Sequence, residues 1–182
     1  MNFFTSDTHF YHANIIKYAR QQFTGGIDEM NEAMIVNWNY RVKPDDHIFH
    51  VGDFAFCNRL KCTELLGRLA GHKHLIVGNH DEAAKKAAGW DSVQDYKEMR
   101  DGQDFVVMAH YAFRVFNHSH HGSVQLYGHS HGSLPGNTQQ IDVGVDCWGY
   151  SPCTLAEAKA RMATLPPYRQ EDRHTAELPD LT

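Results

Sequence analysis

Lys73-His74-Leu75-Ile76-Val77-Gly78-Asn79-His80-Asp81 is a short β-prone run that stops at a glycine and then delivers an amide, an imidazole and a carboxylate. The same pattern occurs elsewhere in the chain. His47-Ile48-Phe49-His50-Val51 reads as a strand closing on Gly52-Asp53, and Asn2 to Ser6 runs straight into Asp7-Thr8-His9. Asp104 to Ala109 ends at His110, and Ser123 to Tyr127 ends at Gly128-His129-Ser130-His131. Five predicted strands therefore end at residue types that bind metals. Loops at the C-terminal ends of strands are where α/β architectures place ligand sites.

Between the early strands the apolar spacing turns helical. Met30, Met34, Ile35 and Trp38 predict a helix over Asp28 to Val42, stopped by Lys43-Pro44. His12 to Phe23, Arg59 to Ala70 and Ala83 to Ala88 also favour helix. Gln140 to Val145 alternates as a half-buried strand, and Thr154-Leu155-Ala156-Glu157 has capping-box spacing that opens a helix to about Met162. Strands alternating with helices early and clustering later predict a mixed α/β (α+β) fold with sheets between helical layers. From Pro166 the chain is polar and without periodicity, so the expected division is one domain over 1–165 and a flexible tail over 166–182.

Composition narrows the function classes. The 182 residues suit one domain, and a formal charge of −5 offers no general basic field for nucleic acid. No apolar run approaches the roughly 18 residues that span a bilayer. The first residues lack the basic and apolar regions of a secretory signal, and Cys57, Cys62, Cys147 and Cys153 fit no zinc or thioredoxin spacing. Reduced thiols and a cytoplasmic protein are expected. Histidine stands out: there are 14, against 17 Lys plus Arg.

The strand-end set offers oxygen and imidazole donors without thiolate, a chemistry suited to Mn, Fe, Zn, Ni or Co. In an extended segment residues i and i+2 point the same way, so Asp7 and His9 are expected to converge on one ion; the same holds for His129 and His131 unless a turn there separates them onto two ions. Gly52, Gly78 and Gly128 precede ligands where the chain must turn sharply. Asp53 has two oxygens with which to bridge two cations, and Asn79 is a neutral donor beside the anionic carboxylates.

The order Asp7-x-His9, Gly52-Asp53, Gly78-Asn79-His80-Asp81, His110, Gly128-His129-x-His131 resembles the calcineurin-like metallophosphoesterases, all five motif blocks being present between residues 7 and 131. Asp28-Glu29-Met30-Asn31, Trp38-Asn39 and Leu126-Tyr127-Gly128 extend the likeness to a small single-domain bacterial and phage subgroup, with Ala112 standing where that subgroup would carry proline. The resemblance implies a four-layer αββα sandwich of the metallo-dependent phosphatase type. It implies one divalent metal on Asp7, His9 and His131, a second on Asn79, His110 and His129, and Asp53 bridging them. Manganese is the first expectation. A hydroxide bridging the metals would attack phosphorus. His80 would bind the phosphate and protonate the leaving group, with Asp81 orienting it or capping the following helix.

The expected reaction is phosphodiester hydrolysis on a small substrate such as a nucleotide, without a membrane or nucleic-acid partner. A phosphomonoesterase and a catalytically silent scaffold are the rivals. Arg114 is a candidate phosphate clamp and His12 a candidate beside the metals. His118, His120 and His121 read as a solvated loop, the histidines at 47, 50, 72 and 74 as edge or surface residues flanking two strands, and Trp38 as core.

Overall fold

The computed structural model describes residues 1–169. One sheet contains β1 (Asn2–Thr5), β2 (His47–His50), β3 (His72–Ile76), β4 (Ser92–Gln94) and β9 (Cys153–Thr154), in the order β4-β3-β2-β1-β9. Its first four strands run parallel, and β9 pairs antiparallel with β1 through Phe4 and Cys153. The second sheet has the order β5-β6-β7-β8. There β5 (Tyr96–Asp101) and β6 (Asp104–Ala109) form a hairpin, and β7 (Val124–Tyr127) and β8 (Gln140–Asp142) continue in parallel.

Alternation along the strands divides the core into two layers. Phe3, Ile48 and Leu75 pack with Met30, Met34 and Trp38 of helix α2 (Gly26–Arg41) and with Leu65 and Leu66 of helix α3 (Arg59–Arg68). Their neighbours Phe4, Phe49 and Ile76 face the other way, onto Val106, Met108, Leu126 and Ile141 of the second sheet. Helix α4 (Leu155–Met162) sends Leu155, Ala158 and Met162 into this same layer. The far face of the second sheet presents Gln125, Tyr127 and Gln140, which hydrogen-bond Tyr111 O, Leu134 O and Phe113 O in the covering loops. Two sheets face to face with covering layers outside are the sandwich expected of the motif order.

Local chemistry explains several boundaries. Thr154 and Glu157 form the expected capping box at the start of α4. Trp38 Nε1 donates to Ala70 O, while the Asn39 amide bonds Arg68 O and Ala70 N, so α3 ends two residues before the expected Ala70. The segment expected to be helical over His12 to Phe23 yields only α1 (Ile15–Tyr18). Turns after it carry Arg20 inward, where it is fully buried. Ala83 to Ala88 supplies one 3-10 turn, Ala84–Lys86. At the tail, Thr138 N donates to Pro166 O and the Tyr168 hydroxyl to Arg114 O. The expectation for 170–182 lies outside the described residues. Among the described residues no helix is long and apolar enough to cross a membrane.

Candidate metal centre

The two sheets meet where β1 ends. Ser6 N donates to Val143 O and Val145 N to Ser6 O, which stitches the end of β1 to the chain leaving β8. This seam brings the strand-end residues of both sheets to one place. Two donor groups result, Asp7 with His9 and His131, and Asp53 with His110 and His129, each with its ligand atoms within 4.8 Å of one another. In the first, His9 Nε2 lies 3.3 Å from His131 Nε2 and 3.9 Å from Asp7 Oδ1. In the second, His110 Nε2 lies 3.1 Å from Asn79 Oδ1. Asp53 Oδ2 stands between the groups, 3.7 Å from His9 Nε2 and 3.5 Å from His110 Nε2.

The backbone reaches this geometry differently from the extended alternation expected of it. Asp7, His9, Asp53, His129 and His131 have φ of 54°, 46°, 59°, 67° and 47°. Such left-handed values are uncommon for residues with a Cβ and collect at functional sites. Asp7 and His9 converge because the chain curls after β1, whereas His129 and His131 are divided, His131 joining Asp7 and His9 and His129 joining Asp53 and His110. The packing is close enough to require glycine. A Cβ on Gly78 would lie 2.4 Å from Asp53 Oδ1, and one on Gly52 would lie 2.4 Å from His110 Nδ1.

Outer partners fix the imidazoles. His110 Nδ1 donates to Val51 O at 2.8 Å and His131 Nδ1 to Asp146 Oδ2 at 2.7 Å, so both turn Nε2 toward the centre. Asp146 is held in turn by Nε and Nη2 of Arg20, whose Nη2 also donates to Asp7 O and whose Nη1 donates to Thr8 O. Asp142 accepts from Ser130 Oγ, Gly132 N and Gly144 N, bracing the loop that carries His129 and His131.

Burial pushes the Asp7 carboxyl up to about 7 and the His9 imidazole down to about 3. Burial would also raise Asp53, but the hydrogen bond and charge of His110 with the His80 N–H hold it down to about 2. Burial works against protonated His110, yet its bond to Asp53 raises its pKa above the ordinary value. Imidazoles that turn Nε2 toward carboxylates, without sulfur, match the donor chemistry of a divalent transition metal. The residues present fit such ions.

His80 and His12 line a cleft of about 330 Å³ over the centre, together with Ile15, Tyr18 and Ala19. His80 N donates to Asp53 Oδ1 at 2.9 Å, and its ring stands 5.8 Å from that of His9. Asp81 sits elsewhere than the orienting role expected of it. Its buried oxygens accept from Gly78 N, Asp53 N and Phe54 N, so it ties two ligand loops together and positions Asp53. Arg114 lines another cavity, with Phe113, Leu134 and Pro135 on the far face of the second sheet. His118 stacks edge-on against Phe105 at the opposite end of β6 from His110. Against the edge or surface placement expected of it, His50 is fully buried, its Nε2 bonded to the Thr8 hydroxyl, while Trp38 lies in the core as expected.

Sequence reasoning missed Arg20, Asp142, Asp146 and Phe56. Asp146 follows the alternating run to Val145, so the strand-end rule that found Asp53 applied to it as well. Arg20 gave no comparable signal. Phe56 stacks on His12 and His80 with ring centroids at 3.9 and 4.7 Å and forms part of the rim.

No family model matches the chain. The structure is similar to that of a protein of unknown function from Aquifex aeolicus, with a TM-score of 0.68 and 24% identity over 88% of this chain and 98% of that one. A fainter likeness, TM-score 0.42 at 15% identity, is to a phosphoesterase of E. coli, over 79% of this chain and 77% of that one. An uncharacterized protein of Methanocaldococcus jannaschii is 32% identical over 159 residues, 82% of this chain and 84% of its own. At that identity and coverage the chain belongs to the same family as the Methanocaldococcus jannaschii protein, and the motif blocks that resemble those of the metallophosphoesterases meet on one centre.

Proposed function

We propose that the protein is a dinuclear metal-dependent phosphoesterase that hydrolyses phosphodiesters. Asp7, His9 and His131 would hold one divalent ion, manganese first, and Asn79, His110 and His129 the other, with Asp53 shared. The observation that carries this reading is the single Asp53 oxygen lying within 3.7 Å of one donor group and 3.5 Å of the other. When bound, such ions neutralise phosphate oxygens and activate water near neutral pH.

The chain's own residues do the rest. Asp7 and Asp53 are the only carboxylates in the donor groups, so two divalent ions retain net positive charge to attract a phosphate. Asp81 and the His80 N–H fix Asp53 from both sides. His80 is exposed on the cleft and would donate a proton to the departing oxygen. Ile15, Tyr18 and Ala19 form an apolar wall beside the centre. A diester has a second organic group to lay against that wall, and a monoester does not.

Protein stripped with EDTA and reloaded with Mn²⁺ is assayed on bis-p-nitrophenyl phosphate and on p-nitrophenyl phosphate. The expected result is turnover only after reloading, faster on the diester. Full activity in the stripped protein overturns the metal assignment, and turnover of the monoester alone overturns the diester preference.

A further inference from the structure

Cys57 and Cys62 stand on either side of the start of α3. Asn58 caps the helix by accepting from Lys61 N, so the two cysteines occupy the positions just before the cap and one turn inside, which side chains bridge when a chain enters a helix. Their sulfurs are 3.3 Å apart. Cys62 is fully buried, whereas Cys57 is partly open to solvent. Lys61 follows on the first turn, its ammonium over the Tyr11 ring at 3.9 Å.

The four cysteines differ in reactivity. Burial pushes Cys147 up to about 12 and raises Cys153 as well. Cys57 is shifted the other way, because Cys62 donates a hydrogen bond to its sulfur and Lys61 adds positive charge, against the opposing effect of burial. The thiolate is the reactive form, so Cys57 is the sulfur disposed to attack. Cys62 stays protonated beside it.

The segment that carries Cys57 also carries the site. Asp53, Phe56 and Cys57 lie within five residues, and Phe56 N donates to Phe10 O at 2.7 Å. The Phe56 ring rests against His12 and His80, so a bond made at Cys57 acts next to the cleft rim.

We propose that Cys57 and Cys62 are a dithiol pair that a hydroperoxide closes to a disulfide, shifting the Phe56 rim of the cleft. The Cys57 thiolate attacks the outer oxygen of the hydroperoxide, the O–O bond breaks, and the remainder leaves as an alcohol or water. Cys57 is then a sulfenic acid. The Cys62 sulfur attacks it, forming the S–S bond, and hydroxide departs with the Cys62 proton as water. Two thiols lose two electrons, and the peroxide is reduced by two.

The test uses the protein loaded with diamagnetic Zn²⁺ and treated with hydrogen peroxide. Trypsin cuts after Arg59 and Lys61, between the two cysteines. A disulfide therefore appears as residues 42–59 linked to residues 62–68, separable by dithiothreitol. The expected result is loss of two of the four thiols, this linked pair, and movement of the His12 and His80 imidazole NMR resonances through the Phe56 ring current. Cys62→Ser should show none of the linkage and instead trap a Cys57 sulfenic acid with dimedone. These readouts need no enzymatic assay and stand apart from the phosphodiester reading. Retention of all four thiols, linkage through Cys147 or Cys153, or linkage without movement of the two imidazole signals overturns the proposal.

Discussion

Asp146 sets the orientation of His131, accepting its Nδ1–H at 2.7 Å while Arg20 grips the same carboxylate with two bonds of 2.8 Å. The pair fixes which nitrogen faces Asp7 and His9. Loss of such an outer partner typically costs about 10–100-fold in metal affinity. Asp146→Asn keeps the shape and removes the charge, so Mn²⁺ affinity measured by calorimetry should fall by about that factor. Unchanged affinity would show that packing alone orients His131.

His80 and Asp53 should separate when each is altered. His80→Ala is expected to keep both metal equivalents and to lose about 10²–10⁴-fold in turnover. The loss should be larger for alkyl esters than for nitrophenyl esters, whose leaving anion barely needs a proton. Asp53→Asn should release metal as well, since it weakens the one shared carboxylate. Metal content by mass spectrometry, read beside kinetics on both esters, decides between a proton donor and a ligand at residue 80.

Gly78→Ala places a methyl 2.4 Å from Asp53 Oδ1 and 2.5 Å from Asp53 N. Backbone cannot yield as a flexible side chain does, so the variant should lose about 1–3 kcal/mol of stability and much of its metal. Gly67→Ala is the control, on α3, where an added Cβ meets nothing within 4 Å. It should stabilise by about 0.5–1 kcal/mol. Urea midpoints and Mn²⁺ content check both.

His50 makes stability depend on pH. Burial pushes its imidazole from 6.5 down to about 3, so between those values the unfolded chain holds the extra proton. Stability supplied by neutral His50 is thus complete above 6.5 and lost as pH falls toward 3, by at most about 1.4 kcal/mol per pH unit. Thr8 donates its hydroxyl to Phe54 O and accepts from His50 Nε2, a bond that His50→Gln can retain without titrating. In metal-free protein the stability advantage of wild type over His50→Gln should shrink from about pH 7.5 to about pH 4.5. A constant difference would mean that His50 does not charge on unfolding.

What the sequence disclosed follows from the range of each interaction. Val77-Gly78-Asn79-His80 announces a strand end and its donors because strand, turn and ligand lie within a few residues. The core stripe Met30, Met34, Trp38 is legible for the same reason. Arg20 is different: its partners Asp7, Thr8 and Asp146 lie 12 to 126 residues away, and helix propensity points to a longer helix there. The tertiary bonds win, and α1 stops at Tyr18. Strand β5 went unread because Tyr96 to Asp101 alternates exposed and half-buried residues of high polarity. Asp81 shows the limit of motif reading, for its neighbour in sequence is His80 while its hydrogen bonds go to the chain around Asp53.

The seam at Ser6 and Gly144 also governs when the centre comes into being. His129 N reaches Asp7 across 122 positions of chain, and Arg20 reaches Asp146 across 126. Contacts of that separation form late, after the local turns and helices around them. During synthesis the residues that ligate at the N-terminal end must wait unliganded until the last parallel strand has left the ribosome. An ion that needs the whole set would therefore register the docking of the two sheets.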